Sequence, residues 1–241
     1  MPDEFFTKTS AEPSVALGRR TSFDAVIFDL DGTLADTLAD IAGSMNQALS
    51  EYGVPPIAVD RYKDLVCEGV FVLVELATPP ELHSRRDEIV AAFRHHYRQN
   101  WVGTSRPYDG IPELLAVLDL PMAVLSNKPQ EPVTAIVAAL FGHVPFRCVY
   151  GQRPEVPHKP DPSVALSIAA ELGVAPERCA FVGDTPIDIE TALRARMLPI
   201  GAAWGFRPEA ELRAAGARHV LRHPLELMTL LSRAMAALPK R

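Results

Sequence analysis

Two kinds of hydrophobic block alternate along the chain. Short apolar runs rich in β-branched and aromatic residues fall at 24–30, 122–125, 179–182, Leu198–Ala202 and His219–Leu221, with 146–149 a further candidate. Each reads as a buried strand. Between them apolar residues recur at helical spacing: Leu38, Ile41, Met45, Ala48 and Leu49, then 111–118, 133–140, 161–172, 186–196 and 224–236. Strands alternating with helices of about 10–15 residues predict an α/β fold with a mostly parallel sheet. One stretch departs from the alternation. From 57 to 101 every segment is helical: 59–66, 70–77 and, after Pro79-Pro80, a longer helix over 81–101 carrying Ile89, Ala92, Phe93 and Tyr97. The chain from Asp36 to Pro107 therefore reads as an all-helical insert placed after the first strand.

Residues 1–20 form a polar leader with little to bury, expected to be flexible or laid across the surface. The expected division is a catalytic core over 21–35 and 108–241, with a helical cap over 36–107. At 241 residues and 48% hydrophobic, the chain can fill a sizeable core. A net charge of -6 argues against broad attraction to nucleic acid or anionic lipid. No apolar run approaches the roughly 20 residues that span a bilayer, and residues 1–20 lack a signal-type apolar segment. Cys67, Cys148 and Cys179 are too dispersed for a zinc pattern and read as free thiols. These features favour a cytoplasmic protein without nucleic-acid or membrane partners, acting as a monomer or homodimer.

Three strands end in polar groups: Asp29 and Asp31, Ser126 and Asn127, and Gly183-Asp184. Carboxyl ends of parallel strands share one sheet edge, so these endings converge. The chemistry suits a phosphate monoester. Asp29 can attack phosphorus and form an aspartyl-phosphate. Asp31 can protonate the departing alkoxide and then activate water. Mg²⁺ suits this anionic site and prefers oxygen ligands, which Asp29, Asp184 and a backbone carbonyl at Asp31 can supply. Thr33, Ser126 and Asn127 are candidates to hold phosphoryl oxygens. Lys159, in His158-Lys159-Pro160-Asp161-Pro162, can neutralise both Asp29 and the phosphoryl group. Asp188, one turn into the helix after Asp184, can ligate metal, act through water, or orient Lys159.

Together these stretches resemble the haloacid dehalogenase-like superfamily of phosphohydrolases, and within it the phosphoglycolate phosphatase-like branch. Asp29-Leu30-Asp31-Gly32-Thr33-Leu34, Ser126-Asn127-Lys128-Pro129, Lys159-Pro160-Asp161-Pro162 and Gly183-Asp184-Thr185-Pro186-Ile187-Asp188 match its four motifs in order. The likeness continues through Gly201-Ala202-Ala203-Trp204-Gly205-Phe206. It implies a Rossmann-like three-layer core with a helical cap. Asp29 would be the nucleophile, Asp31 the acid/base, Lys159 the charge-balancing residue and Asp184 a Mg²⁺ ligand supported by Asp188. Thr33 and Ser126 would contact phosphate. The substrate would be a small phosphorylated metabolite, with 2-phosphoglycolate the first to test. A sugar-phosphate mutase, a pyrophosphate or nucleotide phosphatase, and a non-catalytic phosphate-binding module remain alternatives. Two departures stand out. Arg196 occupies a helix ending where relatives commonly have glycine, and Cys67-Glu68-Gly69-Val70 only loosely matches their glycine-rich substrate loop.

Overall fold

The computed structural model describes residues 23–66 and 68–236. The polar leader and Cys67 lie outside the described residues. The chain opens with β1 (Ala25–Phe28), a two-residue strand β2 (Ala35–Asp36) and α1 (Leu38–Glu51). Three further helices follow: α2 (Tyr62–Leu65), α3 (Val70–Ala77) and α4 (Arg86–Gln99). Then come β3 (Arg106–Pro107), α5 (Ile111–Val117), β4 (Met122–Pro129), α6 (Gln130–Phe141) and β5 (Cys148–Gln152). The chain finishes with α7 (Ser163–Leu172), β6 (Cys179–Gly183), α8 (Pro186–Arg194), β7 (Leu198–Ala202), α9 (Glu209–Ala214), β8 (His219–Leu221) and α10 (Glu226–Ala236).

Six strands form one sheet in the order β5-β4-β1-β6-β7-β8, and every pairing in it is parallel. The two-residue period of β1 explains the layering. Val26 and Phe28 face a cluster with Leu114 of α5, Val133 of α6 and Leu227 of α10. Ala25 and Ile27 face the opposite cluster, with Ile168 of α7 and Ala192 of α8. Helices thus cover both faces, and β1 is buried along its whole length because it is central.

The helices between β2 and β3 build a separate apolar cluster from Leu38, Met45, Tyr62, Val74, Ile89, Phe93 and others. Asn46 ties its loop down: its side chain donates to Ile57 O and accepts from Ile57 N and Tyr62 Oη, each at 2.8 Å. The buried Tyr62 ring thereby has a partner for its hydroxyl.

Several local expectations change. The long helix over 81–101 is split into a 3-10 segment, Pro80–Arg85, and α4. The 59–66 helix shrinks to a 3-10 turn and the four residues of α2. The 146–149 strand lies later, at Cys148–Gln152, and β4 runs on through Ser126, Asn127 and Lys128. The two connections to the insert pair as an antiparallel ribbon, Ala35 with Pro107 and Asp36 with Arg106, a pairing that the apolar pattern does not predict.

Candidate active site

β1 delivers Asp29 to the carboxyl edge of the sheet, where its N–H donates to Val182 O of the neighbouring β6 at 2.9 Å. β6 delivers Asp184, and the first turn of α8 delivers Asp188. Carboxylate oxygens of Asp29, Asp184 and Asp188 lie within 4.8 Å of one another, all three residues buried. Glycines permit this approach. A Cβ on Gly32, itself at φ +83°, would meet Asp184 Oδ2 at 2.1 Å, and one on Gly205 would meet Asp184 Cβ at 2.3 Å.

Lys159 is the cation of this cluster. Its Nζ donates to Asp188 Oδ1 at 2.6 Å and stands 2.9 Å from Asp29 Oδ1. Burial alone would lower the lysine pKa, but the carboxylates of Asp188 and Asp29 outweigh it and hold the ammonium charged. Burial pushes Asp29 up to about 7, with help from Asp188 and Asp31 and against Lys159. Asp184 is pushed well above the carboxylate range by burial and by Asp188 and Asp29. Asp29 Oδ1 is buried with the Lys159 ammonium as its neighbour. One ammonium among three buried carboxylates is short of positive charge, and an all-oxygen donor set fits a hard divalent cation such as Mg²⁺.

Asp31 occupies a different environment. Its Oδ1 accepts from Thr37 Oγ1 and from Lys128 Nζ at 2.6 Å. Lys128 lies 5.1 Å from the centre of the Tyr97 ring, contributed by α4. The two acids of the first motif are therefore held by different lysines. A cavity of about 280 Å³ opens over both, walled by Ser126, Asn127 and Lys128 below and by α3, α4 and Phe206 above.

The other expected residues divide. Ser126 and Asn127 line the cavity. The Asn127 carboxamide, however, is paired in both directions with the Lys159 main chain, donating to its O at 3.0 Å and accepting from its N at 2.8 Å. It is a support for Lys159. Thr33 is fully buried and donates from Oγ1 to Asp184 Oδ1 at 2.8 Å, so its hydroxyl braces a carboxylate and does not reach the cavity as expected. Asp188 is held at both oxygens, Oδ1 by Lys159 and Oδ2 by Thr185 Oγ1 at 2.7 Å, within the capping box of α8.

Sequence reasoning passed over Lys128, Thr37, Tyr97 and Phe206. Lys128 stood inside a motif, and Phe206 ended a recognised stretch. Tyr97 carried only helical spacing. Phe206 matters because its N–H donates to Asp184 Oδ2 at 2.8 Å while its ring packs in the cluster of the helical insert.

The family model for haloacid dehalogenase-like hydrolases matches residues 23–196. An N-acetylmuramic acid 6-phosphate phosphatase from Pseudomonas aeruginosa is 33% identical over 226 residues, 90% of this chain and 98% of the relative. A phosphoglycolate phosphatase from Aquifex aeolicus is 35% identical over 184 residues, 75% of this chain and 85% of the relative. A crystal structure from Lactobacillus delbrueckii subsp. bulgaricus, described as a candidate phosphoglycolate phosphatase, superposes with a TM-score of 0.81 at 28% identity, covering 87% of this chain and 98% of that one. With its buried aspartate cluster at the carboxyl edge of a parallel sheet, the chain belongs to the haloacid dehalogenase-like hydrolases, in the phosphoglycolate phosphatase-like branch, and is a phosphoric monoester hydrolase.

Proposed function

We propose that the protein hydrolyses a small phosphorylated metabolite in two steps through Asp29. An Asp29 oxygen attacks phosphorus, and the bond to the ester oxygen breaks as the Asp29–phosphorus bond forms. Asp31, protonated in the reacting form, gives that proton to the departing alkoxide. It then takes a proton from water, which attacks phosphorus, releases phosphate and restores Asp29. The observation that carries this reading is the separation of the two acids. Asp29 is set against Lys159 at 2.9 Å, and Asp31 against Lys128 at 2.6 Å. Different neighbours give two carboxylates different tasks.

Lys159 moves its attraction from Asp29 to the phosphoryl oxygens as charge shifts. Asn127 fixes the lysine backbone, and Ser126 faces the phosphoryl group. Asp29, Asp184 and the main-chain carbonyl of Asp31 would hold Mg²⁺, with Asp188 beside them. Bound there, Mg²⁺ supplies positive charge to the phosphoryl oxygens and offsets repulsion between the nucleophile and the phosphate. The helical insert, taken as 36–107, is the cap that keeps bulk water out until the hydrolytic step.

The relatives' names supply two substrates to try, 2-phosphoglycolate and N-acetylmuramic acid 6-phosphate. The test is phosphate release from these and other phosphate esters, with Mg²⁺ and with EDTA. Mg²⁺-dependent release supports the reading. Binding without turnover across the panel would reject it in favour of a binding module, and an isomeric phosphate as product would indicate a mutase.

A further inference from the structure

The cavity has an upper half that the two-step reaction does not use. Tyr97 lines it and is 5% exposed; its buried Oη lies beside the Lys128 ammonium, which can only donate, so among the described residues the O–H has no acceptor. A buried hydroxyl left unpaired costs about 1–3 kcal/mol. Burial pushes its pKa up to about 12, so it stays a hydrogen-bond donor at neutral pH. Arg94 stands one turn earlier on α4 and lines the same cavity. Its guanidinium lies 5.8 Å from the Phe71 ring centre, and among the described residues no carboxylate forms an ion pair with it. Arg98, a turn further on, is already paired with Glu131 of α6 at 3.0 Å. Val70, Leu73, Phe93 and Phe206 supply apolar wall between these polar groups and the floor. At about 280 Å³ the space approaches the roughly 300 Å³ at which sites for drug-sized ligands begin. A two-carbon leaving group does not need that room.

We propose that α4 carries the leaving-group subsite, with Tyr97 Oη donating to an oxygen of the substrate body and Arg94 taking a carboxylate at its far end. The substrate class is a phosphorylated sugar acid, or an acid of similar length, esterified to phosphate at the opposite end. This rests on the phosphatase reading and deepens it.

The probes are 6-phosphogluconate, glucose 6-phosphate, 2-phosphoglycolate and para-nitrophenyl phosphate, assayed with Mg²⁺. The first two match in carbon number, and only 6-phosphogluconate bears a carboxylate. The full-length protein is expected to prefer 6-phosphogluconate over glucose 6-phosphate by at least about tenfold in kcat/KM. Arg94→Gln should lose about tenfold more on 6-phosphogluconate than on glucose 6-phosphate. Tyr97→Phe keeps the ring over Lys128 and should raise KM for both sugars by roughly fivefold, with a smaller change in kcat. Equal rates on the two sugars, an equal loss on both in Arg94→Gln, or turnover of 2-phosphoglycolate without 6-phosphogluconate would each overturn the subsite. Turnover of para-nitrophenyl phosphate alone would overturn it while leaving the phosphatase reading intact. No turnover of any probe would defeat both.

Discussion

Lys159 Nζ donates to Asp188 Oδ1 at 2.6 Å, and neither side chain is more than 4% exposed. The same ammonium stands 2.9 Å from Asp29 Oδ1. Asp188 thus fixes the position of the charge that faces Asp29, the proposed nucleophile. Its second oxygen is anchored by Thr185 at the start of α8, so the aim of Lys159 is set by a helix N-terminus.

Asp188→Asn should therefore act on chemistry more than on binding. The amide keeps the shape but weakens the hold on Lys159. Steady-state kinetics with Mg²⁺ should show kcat down by roughly ten- to hundredfold, with KM changed far less. A rise in KM at unchanged kcat would contradict the positioning role.

Asp29→Asn should abolish turnover and yet stabilise the metal-free protein. The folded pKa near 7 exceeds the unfolded value of about 3.9. Between those values the folded state binds more protons, so rising pH erodes stability there. The variant escapes that loss. Its advantage should be absent below about pH 4, grow to pH 7 and level off at roughly 2 kcal/mol, the lost Lys159 contact offsetting part of the gain. Urea melts with EDTA across this range would measure it. A destabilised variant at pH 7 would contradict the charge crowding.

The alternation of apolar runs made the parallel sheet legible, because three of its strand ends also carried motifs. The helical insert was legible for the complementary reason, an absence of strands between Asp36 and Pro107. What the pattern could not carry was pairing between distant polar groups. Thr33 reads as a hydroxyl free for phosphate until Asp184 is brought within 2.8 Å from 151 residues away. Asn127 lines the cavity, and its amide also meets the Lys159 backbone, a pairing that no local spacing foretells. Tyr97 was invisible as a site residue because its spacing on α4 is also what packs the insert.

The insert is latched at its base by Asp40. Its carboxylate accepts from Thr104 N and Oγ1 and from Ser105 N and Oγ. Burial opposes ionisation, but the Ser105 and Thr104 bonds prevail and hold the carboxyl below its ordinary pKa. A depressed acid contributes stability above its unfolded pKa and loses it as pH falls. Asp40→Asn should cost about 1 kcal/mol at pH 7; the gap to the parent should begin to narrow below about pH 4, the unfolded value, and close only as pH falls through the lower folded pKa. Thermal melts at pH 7 and at stepwise lower pH would read the difference; a gap that does not narrow at all below about pH 4 would contradict the latch.

Arg196 ends α8 at φ 57°, in the left-handed region, where the N–H of Met197 closes back on Ala192 O at 2.8 Å. Glycine takes that conformation without the Cβ clash, which costs roughly 1–2 kcal/mol in other residues. The partner Glu177, 3.3 Å away, forms an exposed pair worth little. Arg196→Gly should raise the urea midpoint, by about 0.5–1 kcal/mol in stability after the added freedom of the unfolded chain is counted. A lower midpoint would place the ion pair above the backbone conformation.

Phe206 joins the insert to the Asp184 carboxylate. Its ring is buried with Leu38, Phe93 and their neighbours, and its N–H donates to Asp184 Oδ2 at 2.8 Å. Phe206→Ala keeps the N–H but removes the ring, and large-to-small changes in packed clusters cost about 3–5 kcal/mol. The residue lies in a loop beside the cavity, so part of that cost should appear as a looser loop. The Mg²⁺ concentration for half-maximal activity should then rise severalfold, although the Phe206 side chain offers the ion no ligand. Phe206→Leu refills most of the volume and should restore most of the Mg²⁺ affinity. If both variants melt lower but saturate with Mg²⁺ like the parent, the packing of the insert and the geometry of Asp184 are independent.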